Sequence, residues 1–195
     1  ANQGILETLF TRWADVDPAT ALAAVDLIDN MAQRRMVLSS IITSLANVDP
    51  AGALAALQKL PLGQQSPAVY GNIFLAWSQS DPAGAVAALQ TLPAGAARTQ
   101  AFQKLYEGWS QIDPVGAMKA ADALPAGREH DEAVRGVFDN VATLAPSVAA
   151  DYLAALPQST IRNNDIRLLA RDWAQTDPAA ALAWLALKNA RRASA

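Results

Sequence analysis

His130 is the only histidine, and its neighbours Arg128, Glu129, Asp131 and Glu132 are all charged. A general base needs a positioned partner and a pocket. His130 has no triad or metal-ligand spacing around it and reads as a solvated turn residue. Cysteine is absent, which removes disulfides, thiol chemistry and cysteine–metal sites. No glycine-rich phosphate loop is present: Gly52, Gly84 and Gly116 are single residues inside Asp-Pro-x-Gly turns. The most regular carboxylates are Asp17, Asp49, Asp81, Asp113 and Asp177, each followed by proline. A calcium ladder is one use for such a series, but helix capping engages each carboxylate first. The expectation is no catalytic residue, no metal and no cofactor.

That even spacing leads to the elements. Pro18, Pro50, Pro82, Pro114, Pro146 and Pro178 stand 32 residues apart, and an alanine follows three positions after each. A fixed period of this kind is the signature of stacked repeats. The repeats are 1–32, 33–64, 65–96, 97–128, 129–160 and 161–192, with a tail at 193–195, and they predict a single repeat domain.

Each repeat predicts two helices, A and B. In the third, Tyr70, Ile73, Phe74 and Trp77 share one face of helix A by i, i+3, i+4, i+7 spacing. Trp13, Trp109 and Trp173 occupy the Trp77 slot elsewhere and are expected to be largely buried. Helix B opens at Asp-Pro, with aspartate as N-cap and proline at N1. Leu54, Leu57 and Leu60, then Val86, Leu89 and Leu92, mark its buried stripe. Pro61, Pro93, Pro125 and Pro157 stop it, and Gly63, Gly95 and Gly127 turn the chain. The first repeat lacks this stop, and Asp29 and Asn30 are expected to end its helix B. Repeat five departs most, with Ala145 in place of the capping aspartate and Val141 in place of tryptophan.

Arg34, Arg98 and Arg162 share a slot in the first turn of helix A, where a cation is mildly unfavourable. Something must compensate. One reading bonds them to an aspartate or to the carbonyls ending the preceding helix B. The other makes them a basic edge for an acidic partner.

Composition narrows the classes. Net charge is −3 and charged residues are 17%, which argues against a nucleic-acid footprint. No apolar run approaches the ~18 residues that span a bilayer, so no membrane insertion is expected. No signal peptide is recognised.

The aromatic late in helix A, the alanine in the first turn of helix B and the proline after it resemble the tetratricopeptide pattern. The arrangement is similar to tetratricopeptide-like and HEAT-like α-solenoids across 1–192. The period is 32 rather than 34, and Asp-Pro opens helix B rather than closing it. The resemblance implies an all-α fold, an α-solenoid (right-handed superhelix) of six antiparallel helix pairs, twelve helices in all. Tandem Trp-Ala-x-x-Asp-Pro repeats also resemble those of uncharacterised bacterial envelope-associated proteins, which implies the periplasm or cell envelope.

If the tetratricopeptide groove carries over, helix A lines the concave surface. Its exposed slots then include Gln103, Arg135 and Arg167, and one turn later Glu107, Asp139 and Arg171. Arg167 and Arg171 are i, i+4 neighbours, and Arg135 is one repeat before Arg167. Such a trio can hold a carboxylate, with Asp139 placed to neutralise it.

The function expected is a non-catalytic scaffold that binds a protein or peptide along a curved surface. The alternative is an assembly module of a longer protein, packing on further domains or copies of itself. Leu182, Trp184, Leu185 and Leu187 favour self-association through the last helix, because they leave it little polar surface.

Overall fold

The computed structural model describes residues 3–156 and 160–193, with the side chains of 5–6, 8–156 and 165–187. It is all-α, with twelve α-helices and no strand among the described residues. The A helices are α1 (Gln3–Val16), α3 (Met31–Ala46), α5 (Pro67–Ser80), α7 (Ala96–Ile112), α9 (Arg128–Leu144) and α11 (Thr160–Thr176). The B helices are α2 (Pro18–Ala24), α4 (Pro50–Lys59), α6 (Pro82–Thr91), α8 (Pro114–Asp122), α10 (Pro146–Ala155) and α12 (Pro178–Ala193). The chain forms two compact bodies, Ala1–Trp109 and Ser110–Ala195, which divide within α7. In the first, α1 packs on α2 and α3, α3 on α4 and α5, and α5 on α6. In the second, α8, α9, α10, α11 and α12 each pack on the next.

Every B helix starts at the motif proline. Asp49, Asp81 and Asp113 each accept the backbone N–H three residues on, at 2.8–2.9 Å from Gly52, Gly84 and Gly116. Asp177 does the same with Ala180 at 2.9 Å. Each bond satisfies one donor that the helix itself leaves open.

Asp17 is capped twice over, by the Thr20 backbone N–H and by the Thr20 hydroxyl, which donates to its second oxygen. The hydroxyl bond is the main reason its carboxyl lies below its ordinary value. The folded-state value is therefore below the unfolded one. The cap's stabilisation is complete above the unfolded-state value and is lost as pH falls through the folded-state value. Thr20→Val should raise the Asp17 midpoint in an NMR carboxyl titration; an unchanged midpoint would contradict this assignment.

The first-turn arginines bond to the preceding helix end. Arg34 Nε donates to the Ile28 carbonyl at 2.9 Å, and a terminal nitrogen donates to the Asp26 carbonyl at 2.8 Å. Arg98 reaches the Leu92, Leu89 and Gln90 carbonyls at 3.0–3.4 Å. In repeat three, where Ser66 fills the slot, Gln65 donates to the Leu60 and Gln58 carbonyls at 2.7 and 3.2 Å. These are the terminal acceptors that a helix cannot satisfy internally. Arg162 and Pro157 lie outside the described side chains.

The core is a ladder of apolar side chains between A and B helices, with Ile73, Phe74, Leu105 and Tyr106 almost fully enclosed. The motif alanines Ala21, Ala53, Ala85, Ala117 and Ala149 have no exposed surface. They let helix B approach helix A closely.

Several expectations are corrected. Among the four tryptophans in the shared slot only Trp173 is buried; Trp13, Trp77 and Trp109 are half-buried. Their rings lean on Phe10, Phe74 and Tyr106 at centroid distances of 5.7–6.1 Å, leaving part of each ring in solvent. In the first repeat, α2 passes into a 3-10 turn, Val25–Leu27, and Ile28 closes it. Asn30 opens the following helix instead of ending this one, accepting the Ala32 and Gln33 N–H groups at 2.9 and 3.1 Å. Gly95 and Gly127 take positive φ, as their turns require, whereas Gly63 sits in the 3-10 turn Leu62–Gln64.

Candidate functional site

A groove of about 490 Å³ lies between α9 and α11 in the second body. Its apolar lining comes from Phe138, Leu168, Leu169 and Trp173, with Pro146 at the start of α10. Three carboxylates join them: Asp139 from α9, and Asp165 and Asp172 from α11. Thr143 and Thr176 add hydroxyls. Thr143 donates to the Asp139 carbonyl at 2.9 Å and Thr176 to the Trp173 carbonyl at 3.0 Å. Both hydroxyls are thereby tied to their own helix.

The groove exists because of which residues meet where neighbouring A helices face each other. Gly108 of α7 lies against Ser78 of α5, so close that a Cβ at 108 would overlap the Ser78 hydroxyl. One repeat on, Asn140 of α9 takes the Gly108 slot and Ser110 the Ser78 slot. There Asn140 Nδ2 donates to Ser110 Oγ at 2.8 Å. One repeat further, the two slots hold Asp172 and Ala142. Neither fills the space or bonds the other in the manner of Asn140 and Ser110, and both line the groove.

The residues singled out in the sequence are distributed as follows. Asp139 lines the groove. Arg171 lies beside it with its guanidinium turned to Asp172, Nε and a terminal nitrogen each 2.9 Å from Oδ1. Arg135, Arg167 and Gln103 are exposed, and the two arginines are not part of the groove lining. Glu107 pairs with Lys104 at 2.8 Å in the first body. His130 is not the solvated turn residue expected: it lies in the first turn of α9 with its side chain mostly covered, 3.2 Å from Asp131 and away from the groove lining. Gly71, in the slot before Gln103, is buried against Lys104 and the Gln100 backbone. Asp139 is the one groove residue that the reading of exposed slots included; Asp165, Asp172 and Trp173 are among those it left out. Comparing the Gly108 and Ser78 slots along the repeats is the signal that finds Asp172.

Among the described residues no three His, Asp or Glu side chains are grouped to hold a metal ion. No described helix is long and apolar enough to cross a membrane. No family model, curated protein or solved structure matches the chain.

Proposed function

We propose that the chain is a non-catalytic helical-repeat scaffold that binds a protein or peptide segment in the α9–α11 groove. In this reading the six helix pairs form a tetratricopeptide-like solenoid, with the A helices as the binding side. The single supporting observation is the composition of the groove: an apolar lining from Phe138, Leu168 and Trp173 beside the carboxylates of Asp139, Asp165 and Asp172. An apolar pocket with a few convergent polar groups is a binding site by default. Asp172 is paired with Arg171, and the carboxylates of Asp139 and Asp165 select the opposite sign in the occupant. The fitting partner is a segment with an apolar anchor next to lysine or arginine.

The test uses a terminally blocked peptide of alternating leucine and lysine, with a leucine–glutamate peptide as control. The double variant Asp139→Asn/Asp165→Asn should weaken the Leu-Lys peptide about tenfold, as expected from two surface ion pairs of ~0.7 kcal/mol each. Added salt should weaken it in the unmodified protein as well. Equal affinity in the double variant would contradict the reading. A preference for the Leu-Glu peptide that Arg167→Ala removes would place the site on the Arg135, Arg167 and Arg171 trio instead.

A further inference from the structure

Of the three groove carboxylates, Asp172 has a cation directly beside it. Arg171 holds it through two nitrogens, each 2.9 Å from Oδ1. Asp172 lines the groove, whereas Arg171 stands outside the lining. Seven residues before the motif proline the other repeats hold Thr11, Thr43, Leu75, Glu107 and Asp139, so Arg171 is the one cation in that slot. Both members of the pair face solvent, with side-chain exposures of 67% and 59%. An ion pair so exposed adds little to stability and opens readily.

We propose, with the peptide-binding groove as the premise, that Arg171 is an exchangeable counter-ion that sets the charge pattern of the occupant. A basic side chain of the occupant takes Asp172, and Arg171 turns outward to an acidic side chain of the same segment. The occupant is then a mixed-charge segment, with an apolar anchor, a basic residue and a carboxylate, rather than a uniformly basic one.

Counting ion pairs gives the sign. A uniformly basic segment that takes Asp172 breaks one pair and makes one, so this exchange adds nothing to its affinity. A segment that also brings a carboxylate to Arg171 breaks one pair and makes two. Overall charge acts the other way, because each glutamate lowers the positive charge of the segment facing Asp139 and Asp165. Salt screens that longer-range attraction more than it screens groups in contact. A preference for a glutamate-bearing segment therefore reports the contact with Arg171 and not the net charge.

The test extends the Leu-Lys peptide to a series in which one lysine at a time is replaced by glutamate. Affinities are measured by calorimetry at physiological salt for the unmodified protein, Arg171→Gln and Arg135→Gln. At least one member of the series should bind the unmodified protein about threefold more tightly than the Leu-Lys parent, the worth of one surface ion pair. In Arg171→Gln the parent should gain about threefold, because Asp172 is released, and the preference for the glutamate peptide should vanish. Arg135 is exposed on α9 and outside the lining. Arg135→Gln removes the same charge without releasing Asp172 and should keep the preference. The proposal is overturned if no glutamate peptide exceeds the parent, or if the preference survives Arg171→Gln. Where the parent still binds and Asp139→Asn/Asp165→Asn still weakens it, the peptide site stands and the role of Arg171 falls alone. If no peptide binds at all, both fall.

Discussion

Gly108→Val should destabilise the first body by about 2 kcal/mol, the cost typical of forcing methyl groups into a packed interface. A Cβ at 108 would overlap the Ser78 hydroxyl, and it would stand 2.7 Å from Leu75 Cδ1 and 3.2 Å from the Leu75 carbonyl oxygen. The hydroxyl and the Leu75 methyl can rotate, but the carbonyl belongs to the α5 backbone. Ser78 is itself buried and donates to that carbonyl at 2.7 Å. Helix propensity works the other way, since glycine is the less favoured residue by roughly half a kcal/mol. The steric cost is larger, so the sign is destabilising. Chemical denaturation reads it. In the Ser78→Ala background the cost should fall, with a coupling of at least ~0.5 kcal/mol for two side chains in contact. A neutral or stabilising Gly108→Val would mean that α5 and α7 are not held this close.

Ala145→Asp should stabilise the protein by about 0.5–2 kcal/mol, the usual worth of an N-cap. Ala145 has φ −143° and ψ 61°, close to the φ −133° and ψ 81° of the capping Asp113. It has no side-chain cap; its carbonyl accepts Val148 N–H at 2.9 Å and Ala149 N–H at 3.3 Å. A carboxylate there would accept the Val148 N–H. The β-branched Val148 is no obstacle, because Asp17 caps the β-branched Thr20 at 3.1 Å. Ala145→Asn should give a similar gain, since Asn caps as well as Asp. Amide exchange in residues 145–156 should be faster than in 81–92, and the substitution should slow it. A lower melting temperature for both substitutions would contradict this account.

The fold was legible wherever chemistry is local. Asp-Pro defines a helix start within four residues, and the structure has that start at all five Asp-Pro pairs and also at Ala145-Pro146. The first-turn arginines were legible because a cation at a helix N-terminus needs compensation, and Arg34 and Arg98 find it in the preceding helix end. The groove was harder to read. It depends on which side chains meet across neighbouring helices, and that pairing joins residues 30 positions apart, such as Asn140 with Ser110. Slot by slot, Asp172 is one more exposed acid; set against Ala142, it is the place where the packing opens. Gly71 shows the same dependence, because its burial comes from Lys104 and Gln100 on the next A helix rather than from its own helix. Trp13, Trp77 and Trp109 each lie against one aromatic neighbour of their own helix, at centroid distances of 5.7–6.1 Å, and are covered in part.

The binding claim meets its most direct test in the indole N–H signals of the five tryptophans, followed by NMR as the Leu-Lys peptide is added. Trp173 lines the groove, and Trp184 stands against it at a centroid distance of 6.5 Å with its N–H held by Asp151 at 3.0 Å. Trp13 and Trp77 belong to the first body. The Trp173 signal should move saturably, Trp184 should follow more weakly, and Trp13 and Trp77 should stay in place. Saturable shifts at Trp13 and Trp77 with Trp173 unmoved would contradict the claim.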